Sequence, residues 1–206
     1  MENAANRITL CGTLDTLPVF SHQNHGRDFY RFTLSVQRLS GAEDLLNVVA
    51  PGDVLEQAEL FDGSNIAVTG QIRSFNNRQE TGRRLIISVY AESVTTTDQP
   101  PRNDALLTGT VCKPPIFRRT PLGREICDIM LAVPRLYRRT DYIPCILWGK
   151  TAQAAADCTV GTSLTVTGRL QSRDYVKLLP EGSEQRTAYE LSAAEVSFAQ
   201  DETDFF

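Results

Sequence analysis

Asn6-Arg7-Ile8-Thr9-Leu10-Cys11-Gly12-Thr13-Leu14 is repeated as Asn103-Asp104-Ala105-Leu106-Leu107-Thr108-Gly109-Thr110-Val111, 97 residues further on. The apolar alternation, the Gly and the Thr all recur. At the same offset Pro18 meets Pro115, Phe20 meets Phe117, Gly26 meets Gly123, Leu34 meets Leu131, Val36 meets Val133 and Arg38 meets Arg135. Gly63-Ser64-Asn65-Ile66-Ala67-Val68-Thr69-Gly70 then matches Gly161-Thr162-Ser163-Leu164-Thr165-Val166-Thr167-Gly168 at an offset of 98. A near-constant offset over this many positions reads as one structural unit present twice.

The period inside each unit is two. Phe32, Leu34 and Val36 alternate with Thr33, Ser35 and Gln37, and Leu164 and Val166 alternate with Thr165 and Thr167. Short alternating runs bounded by Gly, Pro, Asn and Asp predict strands with one buried face. One segment per unit departs from this. Residues 150–157 are Ala-rich and precede a Gly, and residues 53–60 place apolar residues three and four apart, so both predict a short helix. Three strands, a helix and two strands is the layout of the OB-fold, a five-stranded Greek-key barrel. The fold class is therefore all-β, with two tandem OB barrels, each with one short helix. Domain one is expected over residues 1–98 and domain two over 102–199. Thr95-Thr96-Thr97-Asp98-Gln99-Pro100-Pro101 leads between them, since paired prolines cannot sit inside a sheet.

The chain has 206 residues and a formal charge of −4, but the charge is uneven: residues 1–99 are net −4, 100–180 net +6 and 181–206 net −6. Local rather than total charge sets the field that a phosphate chain meets. The five cysteines, Cys11, Cys112, Cys127, Cys145 and Cys158, form no CxxC pair and lie far from His22 and His25. That spacing argues against a zinc site and fits reduced, buried thiols in a cytoplasmic protein. No apolar run is long enough to cross a bilayer and residues 1–10 lack the pattern of a signal peptide. No nucleophile elbow, phosphate loop or HExxH pattern occurs, and the two histidines read as solvated loop residues, so no enzyme and no cofactor is expected.

In the second unit Thr140-Asp141-Tyr142-Ile143-Pro144-Cys145-Ile146-Leu147-Trp148-Gly149-Lys150 is similar to T-E-W-H-x-V-x-x-[WF]-G-K, a stretch of bacterial single-stranded DNA-binding proteins, which this unit resembles. Residues 160–175 are similar to K-G-S-x-V-x-V-x-G-x-L-x-x-R-x-[WY], and residues 189–196 to the closing Y-x-x-E-V stretch. The resemblance spans residues 103–198. It is weaker over 6–94, where Asn6 to Gly12 match the family's first strand.

The resemblance implies sequence-independent binding of single-stranded DNA in replication, recombination and repair. On the matched motifs the base-stacking residues are Tyr137, Tyr142, Trp148 and Tyr175, with Arg118, Arg135, Lys150 and Arg173 at basic positions. Arg119, Arg138 and Arg139 lie in the same loops. Every base has a π-face, so an aromatic platform holds a strand without reading it. Cations beside it neutralise phosphates and make binding salt-dependent. Trp148 stands in an alternating strand and reads either as platform or as core. Arg138-Arg139 reads either as a phosphate contact or as a solvated hairpin tip.

The first unit has Leu39, Leu45, Pro51 and Asn77 where the second has its aromatics. It retains Phe75, Arg73, Arg78, Arg83 and Arg84 near its last hairpin, and is expected mainly to build the assembly. The resemblance also implies four barrels per particle, which two copies of this chain supply as a homodimer. It implies as well that Asp204, Phe205 and Phe206 form an acidic-aromatic tail for recruiting replication and repair proteins, although the family's Pro and long linker are missing. Two other readings stay open at this point. One is an OB-fold assembly or accessory protein of replication restart or a mobile element, with weak or no DNA binding. The other is RNA in place of DNA.

Overall fold

The computed structural model describes residues 5–79, 82–179 and 182–198. The first half forms β1 (Asn6–Leu14), β2 (Val19–Asn24), β3 (Arg27–Gln37), β4 (Glu43–Pro51), α1 (Gly52–Leu55), β5 (Asn65–Gln79) and β6 (Gly82–Thr96). The second repeats this as β7 (Arg102–Val111), β8 (Ile116–Arg119), β9 (Glu125–Arg135), β10 (Arg139–Trp148), α2 (Lys150–Ala156), β11 (Ser163–Leu179) and β12 (Gly182–Phe198). In each half five strands close into a barrel, with a short helix between β4 and β5 or between β10 and β11. β1 meets β3 in the first and β7 meets β9 in the second, while β4–β6 and β10–β12 run parallel. This is the OB-fold twice. Each half also has a short, wholly exposed strand, β2 or β8, hairpinned onto the next one.

Alternation puts the apolar set inside. Ile8, Leu10, Leu34, Val48, Val68 and Val89 fill the first barrel, and Leu107, Leu131, Ile143, Leu147, Val166 and Leu191 the second, all with no exposed surface. The helices are shorter than their apolar spacing predicts. α2 ends at Ala156, having buried Ala152 and Ala155. α1 is a single turn with no fully buried residue, and Ala58 and Leu60 pack on the core from irregular chain instead.

The repeated Gly and Asn both have a reason in this fold. Gly70 and Gly168 stand where β5 and β11 slip register against β6 and β12, and a Cβ there would overlap the carbonyl oxygen of Tyr90 or Ser192. Just past each bulge the repeated Asn continues the ladder with its side chain. Asn6 Nδ2 donates to the Ile72 carbonyl at 2.7 Å and its Oδ1 accepts from Ile72 N at 2.9 Å. Asn103 makes the same pair with Leu170 at 2.7 and 2.9 Å.

The two barrels share one ladder. β1 pairs antiparallel with β7, and the strand order reads β2-β3-β4-β6-β5-β1-β7-β11-β12-β10-β9-β8. Each position in the second half of that order is the repeat partner of its mirror position in the first. Ile8 pairs with Ala105, its own repeat equivalent, so a local two-fold axis passes through that pair.

Candidate nucleic-acid interface

Along β10, Ile143, Cys145 and Leu147 point into the barrel and Asp141, in phase with them, is buried, so Tyr142, Pro144, Ile146 and Trp148 point out. Tyr142 and Trp148 are 43% and 38% exposed, six residues and roughly 20 Å apart on one strand. Of the two readings of Trp148, the structure takes the surface one: its Nε1 donates to Ser192 Oγ on β12 at 3.1 Å. That contact puts Ser192 on the outer face. Period two then places Glu190, Ala188 and Arg186 there too, with their cross-strand partners Gln171, Arg173 and Tyr175. Tyr142, Trp148, Arg173 and Tyr175 therefore share one sheet face. The Arg173 guanidinium lies over the Tyr175 ring, 5.9 Å from its centroid.

The cations sort by what they already hold. Arg118 reaches this face from β8, in the row Arg118–Ile126–Trp148, where Asp128 accepts from its Nε at 2.7 Å. Arg119, opposite in phase, does not join it. It is bound to Glu125, which also accepts from Gln153 of α2, and the two contacts hold the Glu125 carboxyl below its usual range. Arg135 is also diverted. Its guanidinium grips the fully buried Asp141 and is 22% exposed, so it ties the base of a loop and leaves little for a phosphate. Arg138, Lys150, Arg173 and Lys177 are exposed and have no ion-pair partner among the described residues. Lys177, missed in the sequence, follows Arg173 and Tyr175 on the same face of the hairpin by simple alternation.

Tyr137 sits on a three-residue tip between β9 and β10 and is 93% exposed. It and Arg138 have φ of +60° and +56°, two consecutive side chains in the left-handed region. Each such residue costs of order 1–3 kcal/mol, and strain of that kind collects where a side chain must be presented. The matching tip of the first barrel is Leu39-Ser40-Gly41, closed by Arg38 N donating to Ala42 O at 2.7 Å. The structural equivalent of Tyr137 is thus Ser40, not Leu39; Leu39 corresponds to Leu136, and both are exposed.

The first barrel keeps aromatics, but elsewhere. β4 and β6 register Val49 with Tyr90, and β10 and β12 register Ile146 with Ser192. Tyr90 thus occupies the place of Ser192, while Pro51 occupies that of Trp148. Arg73 lies 5.7 Å from the Tyr90 centroid, and Phe75, 52% exposed, stands where the second barrel has Arg173. Phe75, Ile86, Leu17, Val19, Asn47 and Arg31 line a groove of about 560 Å³. His22 is on a strand rather than in a loop, stacked on Phe29 with centroids 4.8 Å apart. The side chains of Arg78, Arg83 and Arg84, and the tail residues Asp204, Phe205 and Phe206, lie outside what the structure describes.

Among the described residues no group of His, Cys, Asp and Glu could hold a metal, and no helix is long and apolar enough to cross a membrane. All five thiols are unpaired, and burial pushes the Cys145 thiol far above its usual value.

A model of the single-strand binding protein family matches residues 102–199. Single-stranded DNA-binding protein B of Bacillus subtilis is 36% identical over 80 residues, 35% of this chain and 71% of that protein. Single-stranded DNA-binding protein 2 of Clostridium acetobutylicum is 31% identical over 105 residues, 48% of this chain and 77% of that protein. The single-stranded DNA-binding protein of Bacillus cereus is 35% identical over 107 residues, 48% of this chain and 60% of that protein. A solved structure of the single-stranded DNA binding protein from Thermus aquaticus, a deletion mutant, superposes with a TM-score of 0.78 at 22% identity, covering 98% of both chains. That likeness extends the shared fold to both barrels. On the sequence matches, the chain belongs to the single-strand binding protein family.

Proposed function

We propose that this chain binds single-stranded DNA without reading its sequence, chiefly on the outer face of the second barrel, and so protects exposed strands during replication, recombination and repair. The observation that carries this reading is the common sheet face of Tyr142, Trp148 and Tyr175, with Arg118, Arg173 and Lys177 on it and Arg138 and Lys150 at its rim. Aromatic faces take any base, and Arg138, Lys150, Arg173 and Lys177, which unlike Arg118 have no acidic partner among the described residues, take phosphates. Titration of oligo(dT), an RNA of equal length and a duplex at two salt concentrations tests it. Tight binding of the oligo(dT) alone is expected, with log K falling against log salt by about 0.7 per phosphate contacted. Binding of none of the three overturns the reading in favour of an assembly protein, and equal binding of the RNA overturns the preference for DNA.

The working particle on this reading is a homodimer with four barrels. The strands β12, β11, β7 and β1 form a continuous surface around a hollow of about 950 Å³, lined by Arg7, Thr9, Asp104, Leu106, Thr167 and Glu195 among others. It lies beside the local two-fold axis, and a self-complementary interface needs one surface patch that two copies can share. Light scattering is expected to give about twice the 22.9 kDa chain mass; a monomer at micromolar concentration overturns the dimer.

A further inference from the structure

In both barrels, strands that bear the contacts leave their own sheet. β10 registers with β12 only at Cys145 and Ile146, so one edge of β10 is open at Tyr142. β11 stops pairing with β7 at Gly168 and β12 pairs with β10 only at Leu191 and Ser192, so beyond Leu170 and Leu191 β11 and β12 continue as a two-stranded ribbon. An isolated ribbon is marginal in water, and an open strand edge exposes N–H groups in need of acceptors. The other barrel supplies those acceptors. Ser74 Oγ of the first barrel accepts from Tyr142 N at 2.7 Å, while Ser74 N donates to Asp141 Oδ1 at 2.7 Å. The repeat-related set is complete: Ser172 Oγ of the second barrel accepts from Leu45 N at 2.9 Å, and Ser172 N donates to Asp44 Oδ1 at 2.8 Å. Arg38 binds Asp44 and reaches the Ser172 carbonyl at 3.2 Å, as Arg135 binds Asp141.

We infer that Ser74 and Ser172 are positioning residues for DNA binding: through them the first barrel holds the Tyr142 strand and the Arg173–Tyr175 ribbon of the second barrel in register. The inference rests on the DNA-binding reading above. Ser74 is bonded to the backbone of Tyr142 itself. Ser172 is the neighbour of Arg173 and stands at the root of the ribbon that carries Tyr175. The first barrel's part in binding is then mechanical: it holds Tyr142 through Ser74, and holds Ser172 through Asp44 and the Leu45 amide.

Ser74→Ala and Ser172→Ala are each expected to weaken oligo(dT) binding about fivefold, with the slope of log K against log salt unchanged, because no phosphate contact is removed. Pairwise cycles distinguish positioning from general support. Ser74→Ala should cost nothing further once Tyr142 is Ala, and Ser172→Ala nothing further once Tyr175 is Ala; a serine that merely stabilised the fold would give additive losses. Affinities within twofold of the wild type, or additive losses, overturn the inference. Amide exchange in the unsubstituted protein gives a test that needs no variant to fold: the Tyr142 and Leu45 amides should be protected like core amides before DNA is added, and rapid exchange overturns it. Failure of the wild-type chain to bind oligo(dT) would instead overturn the DNA-binding reading itself.

Discussion

Replacing Tyr137, Tyr142 and Tyr175 together by Ala is expected to weaken oligo(dT) binding by about a hundredfold or more, with little change in melting temperature. The three side chains are 93%, 43% and 37% exposed, so none of them fills the core. Each stacked base contributes on the order of 1–3 kcal/mol, and three lost stacks match or exceed the roughly 3 kcal/mol that a hundredfold change represents. The cations remain, so the salt dependence should persist while the salt-independent part of the affinity falls. Phe75→Ala in the first barrel should cost less than about threefold in the same assay, since its groove pairs one exposed ring with Arg31 and aliphatic walls. A triple variant that binds like the wild type, measured by fluorescence titration, sinks the assignment of the binding face; a Phe75 variant as weak as the triple one sinks the division between the barrels.

What could be read in advance follows from how locally each feature is encoded. The duplicated Val-Thr-Gly, the alternation and the Asn at the head of each unit lie in short stretches, and together they announce two equal barrels. Tyr142, Trp148 and Tyr175 stand out in the sequence through the family motif, whereas alternation alone leaves Trp148 between platform and core. Arg135, matched to a basic position of the family, and Arg119, placed by its loop, are each held by a carboxylate. A cation in the right loop still has to be uncommitted, and Asp141 and Glu125, which hold the two, announce nothing in the local pattern. Tyr90 of the first barrel was hidden for a related reason. Pro51 replaces Trp148 on one strand while Tyr90 replaces Ser192 on a neighbour, an exchange that only the β4–β6 register brings together.

The contacts between the barrels were the least accessible of all. Ser74 and Asp141 are 67 residues apart, Asp44 and Ser172 128 apart, and Asn47 Nδ2 donates to Tyr189 Oη across 142 residues. Neither serine has a spacing that marks it out. Even the repeat offset helps only after one contact is known, since it predicts the second from the first. The two-fold relation then supplies the lesson that the sequence lacked: each barrel fills the strand edge that its partner leaves open. The barrels are thus equal in architecture and unequal in the faces they present.

That dependence predicts a large loss of stability at Asp141. Its carboxylate has no exposed surface and accepts from four donors: Arg135 Nε at 2.9 Å, Arg135 Nη2, Arg73 Nη1 at 3.2 Å and Ser74 N at 2.7 Å. Asp141→Ala would leave two guanidinium groups, about one-fifth exposed, facing each other without a counter-charge, and a buried amide without an acceptor. Removing one partner of such a buried set costs about 3–5 kcal/mol. For a chain of this length each kcal/mol lowers the melting temperature by about 2–4 °C, so a fall of roughly 6–20 °C is expected. Asp141→Asn should cost less, because an amide oxygen can still accept from Ser74 N. Asp44→Ala should also cost less. The position equivalent to Arg73 is Gln171, so Asp44 neutralises one guanidinium, and Arg38 retains the Ser172 carbonyl. Calorimetry of the three variants checks the order. Asp141→Ala melting within 2 °C of the wild type, or Asp44→Ala falling further than Asp141→Ala, would mean that the barrels hold together through the β1–β7 ladder alone and that the acidic contacts merely decorate it.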